Sequence, residues 1–280
     1  MKIVVTGANG YIGRHIVSRL LDMGHEVKAC DIRLTDVDPR ADKVEANLFE
    51  NNPAIFELLG KPDCCVHMAW RDGFVHNSKN HLGDFSGHYN FLTNMIDGGL
   101  KQLAVMGTMH EVGYFEGMIT EDTPCDPLSM YGIAKDALRR AMLLYSKDKC
   151  ILQWMRGYYI LGDDKNNHSI FSKILQAESE GKKLFPFTMG KSKYDFMTVE
   201  ELAGQISAVV TQQEVTGIIN CCSGKPISLA DRVEQYLRDN NLKIKLDYGR
   251  YPDRPYDSPI VYGDPSKINA ILAKQSNVGR

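Results

Sequence analysis

The sequence predicts an α/β fold, a doubly wound parallel sheet with a smaller C-terminal α/β lobe. Three observations lead there. Strand-like apolar runs alternate with amphipathic helical segments through about residue 160, and strands separated by helices pair in parallel through right-handed crossovers. A glycine-rich turn joins the first strand to the first helix. Beyond residue 160 the alternation loosens, as expected of a lobe that closes over a site on the main sheet. The expected division is 1–160 for the main domain with its chemistry and 161–280 for the smaller lobe, with some chain returning to the main domain.

The elements follow in order. "KIVVT" at 2–6 is a β-branched strand, and "YIGRHIVSRLLDMG" places Ile12, Ile16, Val17, Leu20 and Leu21 on one helical face, ending at Gly24. "HEVKACD" is the second strand; "DKVEANL" and "DCCVHMAW" are the third and fourth, with a short helix at "AIFELLG" between them. A polar segment over 71–90 leads into a helix that runs to about 99, and "KQLAVMG" is the fifth strand. "YGIAKDALRRAMLLYS" is an amphipathic helix followed by the strand "CILQWMRG". In the lobe, "HSIFSKILQAESEG", "VEELAGQISAVV" and "LADRVEQYLRDN" are helical, "GIINCC" and "LKIKLDYG" are strands, and "YPDRPYDSPIVYGDPSK" is turn-rich.

Composition narrows the function. The 280 residues are 43% hydrophobic and 24% charged, with a formal net charge of −2. That balance lacks the concentrated basic face that a nucleic acid or a membrane surface requires. Seven cysteines, at 30, 64, 65, 125, 150, 221 and 222, are odd in number, and the adjacent pairs lie in apolar runs without metal-ligand spacing. Buried free thiols in a reducing cytosol fit them, and no metal is expected. "MKIVVTG" enters a strand at once, without the pattern of a signal peptide, and no apolar run approaches the ~20 residues of a membrane span. A cytoplasmic protein is expected.

"TGANGYIG" places Gly7, Gly10 and Gly13 directly after a strand and before a helix. Gly7 permits a tight turn, Gly10 the approach of a pyrophosphate, and Gly13 close packing of helix on strand, while the helix N-terminus favours the anion. Glycines alone also suit any tight strand–helix turn. Asp31, ending the second strand, adds weight: its carboxylate can accept bonds from adenosine ribose hydroxyls and would repel a 2′-phosphate. NAD is therefore the expected cofactor. Arg33, two residues on, softens the preference toward NADP.

Tyr131 and Lys135 in "YGIAK" stand four apart, on one helix face. A tyrosine with an ordinary pKa near ~10 is a poor base at neutral pH, and a neighbouring ammonium would favour its phenolate. The same spacing also arises as a plain aromatic–cation pair. Upstream, "AVMGTMHEVGYFEG" begins as a buried strand and turns polar at Thr108, His110 and Glu111, at the sheet's edge.

Together these residues resemble the extended short-chain dehydrogenase/reductase superfamily that acts on nucleotide sugars, the NAD-dependent epimerase/dehydratase family with its Rossmann-type sheet. The resemblance rests on "TGANGYIG", Asp31, "VHMAW", Thr108 and "YGIAK", and continues through "MRGYYILG", "YDFMTVEELA", "INCCSGKPISL", "RPYD" and "DPSK". It implies that Gly7, Asn9, Gly10, Tyr11, Ile12, Gly13, Asp31, Ile32, Arg33, Asn47, Leu48, Met68, Ala69, Trp70, Tyr131 and Lys135 border the cofactor. It further implies that Tyr131 exchanges a proton with the sugar oxygen, Lys135 tunes it and holds the nicotinamide ribose, and Thr108 bonds the same oxygen. Arg254 is implied for the nucleotide's phosphates and Asp257 for its ribose. His168 is a second pocket candidate, and His67 is structural. A homodimer through the helices at 79–100 and 131–148 is implied as well.

The branch turns on the residues after Thr108. Dehydratases of this resemblance carry an Asp–Glu pair there; Met109 and His110 stand in its place, and Glu111 is one strand position late, facing away. A 4,6-dehydratase is not expected. His110 is either a carbon acid/base or a pocket residue. Gly107, Asn47 and Asp84 replace the usual Ser, Asp and Asn. The expectation is an NAD(P)-dependent reductase of a nucleotide-activated 4-keto-6-deoxysugar. The alternatives are a 4-epimerase with bound NAD and, more remotely, a non-catalytic dinucleotide sensor.

Overall fold

Ile3, Val4 and Val5 are buried to within 1% of complete exclusion, and successive side chains enter opposite cores. They form β1 (Lys2–Thr6), the centre of the molecule in a computed structural model that describes residues 1–161, 169–252 and 258–278. α1 (Tyr11–Asp22) follows and buries Ile16, Val17 and Leu20, one stripe of a 3.6-residue period. Next come β2 (Glu26–Asp31), β3 (Asp42–Glu45), α2 (Ile55–Leu58), β4 (Cys64–His67), α3 (Asn80–Gly83), α4 (Phe85–Asp97) and β5 (Gln102–Thr108). β4 and β5 are buried at every position, as strands covered on both faces must be.

A single 3-10 turn, Met109–Glu111, ends β5, and β6 (Gly117–Ile119), α5 (Met130–Tyr145), β7 (Ile151–Gly157) and β8 (Tyr159–Leu161) follow. The remaining chain forms α6 (Ile170–Ser179), β9 (Leu184–Pro186), β10 (Lys193–Tyr194), β11 (Phe196–Thr198), α7 (Val199–Val210), β12 (Gly217–Cys221), β13 (Ile227–Ser228), α8 (Leu229–Asp239), β14 (Lys245–Asp247), β15 (Ile260–Gly263) and α9 (Ser266–Val278). α9 is not among the elements the sequence predicts. It follows a turn-rich stretch, yet Ile268 and Ile271 are buried in the main core.

The seven-stranded sheet runs β12-β7-β5-β4-β1-β2-β3, with every neighbouring pair parallel. One face is covered by α1, α7 and α9, the other by α2, α4 and α5. This is the doubly wound α/β fold that the alternation predicts. Strand order reverses between β1 and β4, and the crevice beyond the carboxyl ends of those strands is where such sheets take ligands.

Two features bind the lobe to the sheet. β12, α7 and α9 come from beyond residue 161 and complete the main layers, while β6, from before it, joins the lobe sheet β13-β10-β15-β6. Asp195, fully buried, accepts from Ser223 N and Oγ at 2.8 and 2.6 Å and from Gly224 N at 2.8 Å, tying the end of β12 to the β10–β11 corner. Phe171, Ile174, Val233 and Leu237 of α6 and α8 form the lobe's own core. Among the described residues, no helix is long and apolar enough to cross a membrane.

Candidate active site

The glycine turn is shaped by close approach. Gly7 has φ +66°, and a Cβ there would lie 2.5 Å from Ala69 N. A Cβ on Gly13 would lie 2.1 Å from Gly7 O. The first turn of α1 has neither a side-chain cap nor an acid, so its leading N–H groups favour an anion. Asp31 accepts from Asn9 N at 3.0 Å and Ile32 N at 2.7 Å, which aims the carboxylate at the mouth of this turn. Asn9 in turn accepts from Asp36 N at 2.8 Å and closes the loop after β2. A side-chain-free anion cradle next to a fixed carboxylate fits a dinucleotide.

The other expected cofactor residues divide. Ile32, 70% exposed, and Arg33, also exposed, lie beside Asp31 at the crevice mouth. Ile12, Leu48 and Met68 send their side chains into the core clusters and serve packing. Asn47 is exposed and caps its own turn by accepting from Phe49 N at 3.1 Å. Tyr11 stacks edge-on with His15.

At the end of β5, Thr108 is extended and caps the 3-10 turn: its Oγ1 accepts from His110 N at 3.3 Å, and its N–H donates to Glu111 Oε1 at 2.8 Å. α5 starts at the Ser129 cap, which accepts from Gly132 N at 3.1 Å, and Tyr131 N donates to His76 O at 2.9 Å. These anchors bring the Tyr131 phenol onto the Thr108 side chain. Burial pushes the phenol well above its usual range, Thr108 opposes that by bonding the phenolate, and Tyr131 stands protonated at neutral pH. Lys135, 2% exposed, donates to Met106 O at 2.6 Å. Burial pushes its ammonium down to about 7, with Glu111 acting the other way.

Further aromatic side chains line the same cleft, His76, His81 and His88 among them without a role assigned from the sequence. His76 lies over the Tyr131 ring with centroids 5.6 Å apart and rings 18° from parallel, and it is 4.4 Å from His110. Trp70 meets Tyr131 edge-on at 6.0 Å and stacks on His88 at 4.3 Å. His67, structural as expected, bonds Thr6 Oγ1 at 2.8 Å and His88 Nδ1 at 3.0 Å. With His81, whose ring is 5.3 Å from that of Tyr131, five histidines gather here, and the run at 67, 76, 81 and 88 was the available signal.

Residues 109–111 form a 3-10 turn and not a continuing strand, so Glu111 is not an alternating strand residue. It is fully buried, accepts from Trp154 Nε1 at 2.9 Å, and pairs with Arg156 at 3.3 Å and Arg139 at 3.4 Å. That engagement takes it out of the cleft. His110 faces Tyr131 at 6.1 Å, and burial and His76 push its imidazole down to about 4. It is neutral at pH 7, and the lowered value makes it a weak base there. Asp84 binds the Arg71 guanidinium with both oxygens, one at 2.7 Å, anchoring the chain that follows Trp70. His168, Arg254 and Asp257 lie outside the described residues.

A model of the family described as "NAD dependent epimerase/dehydratase family" matches residues 3–222. The chain belongs to this family. As a member of the NAD-dependent epimerase/dehydratase family it is an enzyme that uses NAD, and the cradle at Gly7, Gly13 and Asp31 is where its residues fit that cofactor. A relative named dTDP-6-deoxy-L-talose 4-dehydrogenase (NAD(+)), from Aggregatibacter actinomycetemcomitans, is 45% identical over 273 residues, covering 94% of this chain and 99% of that one. The fold is similar to that of MoeE5 in complex with UDP-glucuronic acid and NAD, with a TM-score of 0.82 at 20% identity over 98% and 93% of the two chains. It is also similar to a UDP-glucose 4-epimerase, with a TM-score of 0.85 at 19% identity over 98% and 92%.

Proposed function

We propose that this family member is an NAD-linked 4-keto reductase of a nucleotide-activated 6-deoxysugar, with dTDP as the nucleotide, working reversibly as a 4-dehydrogenase. The observation that carries the reading is the protonated Tyr131 held against Thr108 at the end of β5, in a chain 45% identical to a relative named for 4-dehydrogenation of dTDP-6-deoxy-L-talose.

When bound, the nicotinamide supplies or accepts the hydride at sugar C4. The chain's residues handle the proton and the orientation. In reduction, Tyr131 gives its phenolic proton to the oxygen that was the ketone, and Thr108 donates to the same oxygen as charge develops on it. The Lys135 ammonium stabilises the phenolate left behind. In oxidation the phenolate takes the C4 hydroxyl proton. His110 and His76, both neutral, wall the sugar's side of Tyr131; His110 is placed to contact the sugar without acting as an acid at neutral pH. From the sequence, Arg254, Asp257 and His168 are assigned to the phosphates, the ribose and the pocket.

Purified protein should consume NADH with a dTDP-4-keto-6-deoxyhexose and regenerate it with the product. Interconversion of two sugars without net redox change would replace this reading with a 4-epimerase. A homodimer through the outer faces of α4 and α5 is part of the proposal, supported by Leu144 at 79% exposure on α5; a monomeric mass in solution would remove it. A cytoplasmic location is proposed too, supported by seven unpaired cysteines.

A further inference from the structure

We propose that Trp70 is a positioning residue that keeps Lys135 charged inside the protein, by offering the face of its indole to an ammonium that, among the described residues, has no carboxylate in ion-pair contact. The inference deepens the reading that Tyr131 and Lys135 carry the chemistry, and rests on it.

An excluded ammonium has three donors to satisfy and a large desolvation cost to offset. Among the described residues, its hydrogen-bond acceptor is Met106 O, at 2.6 Å. On another side lies the Trp70 ring, with Nζ 3.8 Å from its centroid, inside cation–π range. The difference from an ion pair matters. A carboxylate at this place would hold the ammonium and also cancel its field at the Tyr131 hydroxyl. The indole stabilises the cation and leaves the net positive charge to act on the phenolate.

The ring is fixed in that place. It stacks on His88 at 4.3 Å, 13° from parallel, and His88 is bonded through His67 to Thr6 of β1. Its N–H donates to His81 Nδ1 at 3.1 Å. Because an indole nitrogen only donates, His81 must carry its proton on Nε2, which meets Val75 O at 3.0 Å. The ionisable groups that act on Lys135 are Glu111, which favours the ammonium, and His67 and His88, which burial keeps neutral and whose protonation would oppose it. The His88 stack and the His81 bond thus clamp the indole against the Lys135 ammonium.

The test follows the Lys135 charge directly. In the protein without added cofactor, with lysines labelled at 13Cε and the Lys135 resonance assigned by its loss in Lys135→Arg, the NMR titration midpoint is expected to fall by about one pH unit in Trp70→Leu. Trp70→Phe keeps a ring in the same space and loses the His81 bond, so an intermediate fall is expected; this variant carries the test if the leucine variant does not fold. An unchanged midpoint in a folded variant overturns the proposal. In assays of sugar oxidation by NAD+, the rise of kcat with pH should move to higher pH in Trp70→Leu while KM for the sugar stays put, a displacement that loss of packing alone does not produce. Activity surviving in Tyr131→Phe would overturn the proposed chemistry while a shifted midpoint still supported the role of Trp70, so the two failures are distinguishable.

Discussion

Trp154 donates its indole N–H to the Glu111 carboxylate at 2.9 Å in a place closed to water, with both side chains fully buried. The pair occupies the space beside Gly107: a Cβ there would lie 2.2 Å from Trp154 Nε1 and 2.7 Å from Glu111 Oε1. This is why the residue before Thr108 is glycine where the resembling family has serine. Gly107→Ser is expected to overpack the site and lower stability by about 1–3 kcal/mol, read by urea denaturation. A variant as stable as the parent would mean that the Trp154–Glu111 pair shifts without cost.

Glu111 also neutralises Arg156, which is fully buried, and faces Arg139. Glu111→Gln leaves guanidinium charge in the core without its anion, and removing one partner of a buried pair costs about 3–5 kcal/mol. Since Glu111 also holds Thr108 N at 2.8 Å, the variant should lose activity beyond what its unfolded fraction explains. Unfolding midpoints and specific activity measured at a temperature where the variant is folded check both parts.

The sheet, the glycine turn and the shared helix face of Tyr131 and Lys135 were legible because each is written locally, in β-branched runs, glycines at fixed offsets and a four-residue helical spacing, whereas the role of Thr108 came from the family resemblance. The 3-10 turn at 109–111 was not, because it depends on Glu111 folding back to Thr108 under the pull of Trp154 and Arg156, 43 and 45 residues away. His76, His81 and His88 were hidden for a similar reason. His76 and His81 lie in a polar segment without hydrophobic period, and hydrogen bonds from Trp70 and from the Met130 and Tyr131 backbone bring that segment over the site, while His88 sits on the buried face of α4. α9 escaped notice because the surface that buries Ile268 and Ile271 comes from α7 and β12.

Tyr131→Phe removes the proton carrier while keeping the ring against His76 and Trp70. Positioned acid–base groups contribute about 10²–10⁴ in rate, so kcat should fall by that range. Thr108→Val removes one donor to the developing oxyanion and should cost about 10²–10³. Both variants should retain NAD binding, measured by thermal shift; lost binding would place these residues at the cofactor and not at the sugar oxygen.

Asp31 is held by two backbone N–H groups and has acceptor sites left for ribose hydroxyls. A hydrogen bond to a charged group contributes about 1.5–3 kcal/mol, so Asp31→Ser should weaken NAD binding by roughly ten- to a hundredfold. The same change removes a negative charge facing a 2′-phosphate, and with exposed Arg33 nearby the affinity for NADP should rise relative to NAD. Titrations of both cofactors check the ratio. An unchanged ratio would show that discrimination lies elsewhere in the loop.

His67 and His88 are buried in contact with each other, and burial holds His67 at about 3 and His88 further below its ordinary value. Both are bases whose folded-state affinity for protons is depressed below the ordinary value near 6.5. Above that pH the folded and unfolded chains bind the same number of protons at these sites. Below it the unfolded chain takes up protons that the native state refuses, so stability falls as pH falls, down to the depressed native values. Each such group contributes a slope approaching about 1.4 kcal/mol per pH unit. Urea unfolding between about pH 6 and 4.5 should therefore show a steeper loss of stability for the parent than for His88→Gln, by close to one proton. Equal slopes would mean that His88 charges in the folded state, which would place a cation against the Trp70 ring and alter the support of Lys135 at the same time.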